Sequence, residues 1–304
     1  LLRNVETEYT ETGQFRVTHT YAVSGIEPYL HIAVSPSEKI LGGVTLKKDK
    51  LLTFLLAFSL FLPALGRSQE QTAVPPVDSK AQGDKILRDM SAKLGSAKSL
   101  TFSTTESHDR VGRSGQEKQL SFSREVAIRR PDRLWYKFHG ADIDAILWYD
   151  GKLLTAVMNN EKAYAQGSVP ATIDEMIDYA ATHYDVPMPM ADIIESSPYD
   201  SLMTPETKGG YAGEETVEGA KCHHLSYQEE TVDWQIWVHS EGDPLPCKLQ
   251  ITYKQDPGTP DSIMTFKNWN LAAQIKDDTF VAQIPKGYER IALLERVSPE
   301  QTPE

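Results

Sequence analysis

The side chains able to do chemistry in this 304-residue chain are scattered, and few sit at the spacing that chemistry requires. Cys222, His223 and His224 are consecutive, and Cys247 is the only other cysteine. In an extended strand neighbouring side chains point to opposite faces, so His223 and His224 do not readily ligate one ion. Cys222 and His224 could share a face, but two ligands do not make a zinc site. The sequence has no C-x-x-C pair, which removes zinc ribbons and thioredoxin-like redox motifs. It has no G-x-S-x-G elbow, and Ser24-Gly25 and Ser114-Gly115 lack the strand–turn–helix setting such an elbow needs. Glu214-Glu215 and Glu229-Glu230 fall at expected turns or strand edges, where carboxylates normally form a solvated surface. Phosphate-loop and dinucleotide fingerprints are absent from the sequence. These residues therefore point to no catalytic group, no metal and no cofactor, and the chain is expected not to be an enzyme.

The elements that would position these residues are mostly strands. Asp78 can cap a helix running to about Leu94, with Ile86, Leu87, Met90 and Leu94 in a 3.6-residue stripe. From Leu100 the period changes to two, giving candidate strands over 99–108, 118–129, 132–139, 143–149, 152–158 and 161–166. Asp150-Gly151 between two apolar runs is a hairpin signal. Arg130-Pro131-Asp132 marks a break that a central strand does not tolerate. Thr172 and Glu175 form a T-x-x-E capping box for an amphipathic helix over 173–184. Further strands follow over 211–218, 220–228, 232–240, 246–254 and 261–270, then a turn and a final strand ending near Ile291. The fold class is α+β, mainly antiparallel: a large curved sheet covered by a few helices, with a helical insert at about 171–204.

If 220–228, 232–240 and 246–254 form a meander, the middle strand separates Cys222 from Cys247. Two strand spacings are about 9.6 Å, beyond the roughly 7 Å that a disulfide spans between Cα atoms. An exporting compartment favours oxidation, but that geometry argues against it, so the two cysteines are expected to stay unpaired unless the strand order differs.

The N-terminal part of the chain carries an address. Lys47, Lys48 and Lys50 precede the apolar run Leu51 to Leu62, and Ala64-Leu65-Gly66 supplies small residues at a cleavage site. Residues 47–66 thus read as a secretory signal peptide, and the run is too short to span a bilayer. No cysteine follows it to carry a lipid anchor, so the expected product is soluble and periplasmic. Residues 1–46 read as an upstream or disordered segment and 67–77 as a flexible leader. Residues 78–291 read as one β domain and 292–304 as a disordered tail. The net charge of −12 repels phosphate backbones, so nucleic acid is not an expected partner.

What rises above background is apolar. In 143–149 and 152–158 both faces are apolar, so both must be covered. Trp234 and Trp237 fall on opposite faces of their strand, so neither face there is free. Trp135, Trp148, Trp234, Trp237 and Trp269 all lie in expected strands. Met176, Met188, Met190 and Met203 gather in the insert, and methionines make adaptable apolar surfaces. Ordinary core and an apolar cavity under a lid are both compatible with this pattern, and the residues alone favour core.

A set of short motifs adds a resemblance. They are Arg130-Pro131-Asp132-Arg133-Leu134, Trp148-Tyr149-Asp150-Gly151-Lys152, Asp233-Trp234-Gln235-Ile236-Trp237, Pro244-Leu245-Pro246 with Lys248-Leu249, Ile251-Thr252-Tyr253-Lys254, and Asn268-Trp269-Asn270-Leu271. Over about residues 80–291 the chain resembles a family of predicted periplasmic proteins of unknown function. It departs from that pattern at Cys247, where a basic residue is usual, a departure that argues against Cys247 as a functional or structural half-cystine. The family in turn resembles the lipoprotein-carrier fold of LolA and LolB, shared by the sensor domain of RseB. The resemblance implies an unclosed antiparallel β-barrel around a hydrophobic cavity closed by helices. It also implies a non-catalytic, monomeric carrier of a lipid or of a lipidated protein's acyl chain. The alternative is an envelope-protein-binding sensor or scaffold without lipid, and an uncharacterised hydrolase ranks below both. A fold alone fixes neither function. Cavity or lid residues chosen by alternation and position are Trp135, Leu147, Trp148, Leu153, Met176, Ile177, Met188, Met190, Ile193, Trp234 and Trp237.

Overall fold

In a computed structural model of the chain, residues 6–9, 15–18, 78–111, 117–140, 143–184, 186, 188, 190–256 and 258–293 are described. The expected signal peptide at 47–66, the leader at 67–77, most of the segment 1–46 and most of the tail lie outside these residues. Two short strands, β1 (Glu6–Tyr9) and β2 (Phe15–Thr18), pair antiparallel as a separate two-stranded sheet.

All other strands form one twelve-stranded, unclosed sheet. Its first half is β3 (Ser99–Val111), β4 (Glu117–Arg129), β5 (Arg133–Gly140), β6 (Asp144–Tyr149), β7 (Leu153–Met158) and β8 (Ala163–Ser168). The second half is β9 (Lys208–Val217), β10 (Ala220–Gln228), β11 (Val232–His239), β12 (Pro246–Tyr253) and β13 (Asp261–Asn270). Each half is an antiparallel meander, and the halves join where β13 pairs with β3. The short β14 (Glu289–Ile291) adds to the edge of β8 in parallel. This is the mainly antiparallel, curved and open sheet that the sequence pattern implies.

Among the described residues, four α-helices belong to one face. Asp78 caps α1 (Ser79–Ser96) by accepting from the amides of Lys80 and Ala81. Thr172 caps α2 (Ile173–His183) and engages Glu175, the capping box read from the sequence. Two short helices, α3 (Ala191–Ile194) and α4 (Pro198–Leu202), complete the insert. One continuous apolar cluster joins them to the sheet. It holds Leu87, Met90 and Leu94 of α1, Met176 and Ile177 of α2, and Ile193 of α3. From the sheet it takes Phe102, Val126, Leu134, Tyr136, Leu225, Trp234, Ile236 and Phe266. Burying a leucine or phenylalanine side chain contributes about 2 kcal/mol, so this cluster dominates the fold's stability. The approach of α1 is close enough to require glycine. A Cβ on Gly83 would stand 2.8 Å from the Gly210 Cα in β9.

The opposite face is partly covered by the chain after β13. Ser99 pairs with Ala272 and its hydroxyl donates to the Ala273 carbonyl. A 3-10 turn, Asp277–Phe280, follows, where Arg129 pairs with Asp277 and lies over the Phe280 ring. The Tyr288 hydroxyl then donates to Asn159, and β14 docks on β8. Trp148, Thr155 and Val157 point to this side and are buried. Residues on both faces of 143–158 are thus buried, as the apolar pattern of the sequence requires.

Cys222 and Cys247 form a disulfide with a Cα separation of 6.9 Å, which corrects the argument from strand spacing. The meander order is as expected, with β11 between the two cysteine strands. The error lay in assuming regular strands. Trp237 pairs with Lys248 while Val238 pairs with Pro246, so Cys247 is the extra residue of a β-bulge. A bulge bends its strand and re-aims a side chain. Here Cys247 falls opposite the step from Trp237 to Val238, next to His239, the partner of Cys222.

Candidate functional site

The insert sits on the sheet through the turn between β4 and β5, the Arg130-Pro131-Asp132 break. The Arg130 Nη2 donates to the carbonyls of Ile194 at 2.8 Å and Glu195 at 3.0 Å, at the C-terminal end of α3. The last carbonyls of a helix lack an intrahelical partner, and the guanidinium supplies donors to those of Ile194 and Glu195. Burial lowers the Arg130 pKa, and Asp174 partly offsets that. The Pro131 carbonyl accepts from the Ile173 amide at 2.8 Å, seating the first turn of α2. Asp174, in that same turn, accepts from the Ser196 amide at 3.0 Å and from the Ser196 hydroxyl. Tyr149 closes the other side: its hydroxyl donates to the Pro170 carbonyl at 2.6 Å, and burial pushes its pKa up to about 12. Met190 enters α3 with φ of 65°, a left-handed backbone uncommon outside glycine.

Under this latch lies the apolar cluster. Of the residues chosen from sequence, Met176, Ile177, Met188, Met190, Ile193 and Trp234 are buried in it, and Leu147 packs against it. Trp135, Trp148, Leu153 and Trp237 stand on the other face of the sheet. Trp135 lines a cleft of about 590 Å³ there, between the sheet and the strap, with Thr101, Glu125, Asn270, Gln274 and Lys276. Trp237 packs beside the disulfide, stacked on His224 at 4.4 Å, with the Lys248 ammonium 4.1 Å from its ring. Its indole N–H donates to Glu215 at 2.8 Å. His223 lies instead against Tyr211, so the two histidines diverge as alternation requires. Cys222, His239 and Cys247 bring their ligand atoms within 4.8 Å, but the two sulfurs are bonded to each other. Burial lowers the His239 pKa.

Sequence reasoning read Arg130 only as the residue before a strand-breaking proline. The signal that could have flagged it is an arginine in a turn whose proline faces a capping box forty residues on. It also passed over Arg124, Glu106, His108, Thr104 and Ser262. All five are buried on the cluster's face of β3, β4 and β13.

The geometry defines a class: an open antiparallel sheet whose concave face is filled by helices and latched at one turn. The family described as "Predicted periplasmic protein (DUF2092)" matches residues 83–294, more than half of the chain, and the chain belongs to that family. None of the curated proteins compared with the sequence matches it. Solved structures similar to the chain include an uncharacterized conserved protein from Thermus thermophilus, 7% identical at a TM-score of 0.41. That match covers 68% of this chain and 97% of that one. A LolA superfamily protein from Nitrosomonas europaea is 10% identical at a TM-score of 0.30, covering 66% and 98%. A chain of the Pseudomonas aeruginosa MucA/MucB complex is 13% identical at a TM-score of 0.35, covering 66% and 61%. No helix among the described residues is long and apolar enough to cross a membrane.

Proposed function

We propose that this protein is a non-catalytic, periplasmic carrier that binds the acyl chain of a lipid or lipidated protein between the sheet and its helical insert. The observation that carries the reading is the way the insert is attached. Its inner face is apolar and continuous with the sheet's concave face, while its outer fastening is a handful of hydrogen bonds centred on Arg130. Apolar contacts are non-directional, so an acyl chain can replace those of α2 and α3 without a specific partner atom. Hydrogen bonds at one turn break as a unit. Release of Arg130 would let the insert lift and offer Met176, Met188, Met190 and Ile193 to a ligand, and methionine repacks around varied shapes. The expected working form is a monomer, soluble and without a lipid anchor.

Native mass spectrometry of the protein purified from its own periplasm tests this reading. An adduct whose mass matches a lipid or acylated protein is the expected result. Repeated recovery of ligand-free protein, or of a non-acylated protein partner alone, would overturn carriage. The latter outcome would favour an envelope-protein-binding domain instead.

A further inference from the structure

Buried within the apolar face is one group that apolar packing does not explain. Arg124 of β4 has a relative exposure of 1%, on the same face as Phe122 and Val126. Its Nη1 pairs with the Glu106 carboxylate of β3. The other Glu106 oxygen accepts from the Ser262 hydroxyl of β13 at 2.8 Å. The guanidinium lies over the Phe138 ring, 4.5 Å from its centroid. Yet Nε and Nη2 have no hydrogen-bond partner, and neither does the buried Thr104 Oγ1. A guanidinium offers five N–H donors, and each buried donor left unpaired costs about 1–3 kcal/mol. Native structures rarely leave such groups without a use.

The charge balance selects what would satisfy them. Arg124 and Glu106 already neutralise each other. An anionic head group would leave net buried charge, which is expensive. A neutral acceptor adds none. Ester and amide carbonyls are neutral acceptors, and they are what joins an acyl chain to glycerol, cysteine or an amine. On this ground we infer that Arg124, assisted by Thr104, receives the carbonyl of an ester- or amide-linked acyl group, and that the free fatty acid is the poorer ligand. Arg124 lies six positions before Arg130, about 20 Å along an extended chain. The polar end of the ligand is thereby held far from the latch, and its hydrocarbon lies between the two. This inference rests on the carrier reading and names the chemical class of its ligand.

The test compares three ligands of similar length, methyl laurate, laurate at pH 8 and n-tridecane, by displacement of an apolar fluorescent dye from the full-length protein. Wild type should bind methyl laurate about tenfold tighter than tridecane, the effect of one or two hydrogen bonds from a charged donor. Laurate should bind more weakly than its ester. The double variant Arg124→Met/Glu106→Gln removes both charges together. It should lose about tenfold for the ester and hold tridecane within about twofold. Thr104→Val leaves the ion pair intact and should lose about threefold for the ester alone, which decides the matter if the double variant does not fold. Equal binding of ester and hydrocarbon by wild type, tighter binding of laurate, or an unchanged ester affinity in the variants would overturn the inference while leaving carriage standing. Failure of wild type to bind any of the three would overturn carriage itself.

Discussion

Replacing Arg130 by leucine should unfasten the insert without unfolding the sheet. Two hydrogen bonds are lost, at 2.8 and 3.0 Å, both from a charged donor to backbone carbonyls. Bonds of that kind contribute about 1.5–3 kcal/mol each. Burying the guanidinium offsets part of this, since burial is the largest influence on its lowered pKa, so a net loss of about 3 kcal/mol is the working figure. That corresponds to a roughly 150-fold larger opening constant. The assay is native-state hydrogen exchange read by mass spectrometry. Peptides covering 190–202 should exchange about a hundredfold faster, whereas amides of β10–β12 should keep wild-type protection. Arg130→Lys keeps the charge but not the fork of donors, and should fall between. Equal loss of protection throughout the domain would show that Arg130 is a general structural residue. Unchanged exchange in the insert would show that the latch lies elsewhere. Either result would refute the reasoning.

Three further expectations rest on other parts of the molecule. Burial raises the Glu195 pKa, opposed by a hydrogen bond from Ser201, so its ionisation is disfavoured in the folded state. The native protein then holds more protons than the unfolded chain above the ordinary glutamate range, and stability falls as pH rises until the folded pKa is passed. Glu195→Gln should raise the melting temperature at pH 7–8, match wild type at pH 4 and flatten the slope between; a lower melting temperature at pH 7 would contradict this. Cys222 and Cys247 close a loop of sequence separation 25, so Cys222→Ser/Cys247→Ser should cost about 3 kcal/mol in urea unfolding; an unchanged midpoint would mean the bridge constrains nothing. Gly83→Ala places a Cβ 2.8 Å from Gly210 and 2.9 Å from the Tyr211 amide nitrogen. Crowding should outweigh the helix-propensity gain and destabilise by about 1–2 kcal/mol, and a more stable variant would show that α1 can shift.

Much of the fold could be read along the chain because its determinants are local. Asp150-Gly151, the Thr172–Glu175 box and the two-residue period of 99–166 each act within a few residues, and each appears where expected. What could not be read depends on partners distant in sequence. Nothing near Cys247 announces that β12 bulges there. In 104–108 the buried positions are threonine, glutamate and histidine, which by pattern alone look like a wet face. Their burial is decided by Arg124 and Ser262 on neighbouring strands. The division of tryptophans between faces had the same origin. Alternation separates Trp234 from Trp237, but it cannot say that Trp135 and Trp148, paired across β5 and β6, belong with the strap rather than the helices.

The seam between β3 and β13 has a consequence for how the molecule comes to exist. The strand that opens the sheet, β3, meets its outer neighbour only when nearly the whole chain is available. Ser103 bonds to Lys267 across 164 residues, and Ser99 to Ala273 across 174. Contacts of such separation form slowly because the loop must close before they stabilise anything. Until then β3 presents a long unpaired edge, the kind of surface that recruits other chains. A newly made or freshly delivered molecule should therefore pass through a period of vulnerability that ends only with its last strands. Chains truncated before residue 261 should aggregate rather than fold as smaller domains, even though they contain α1 to α4 and the complete first meander.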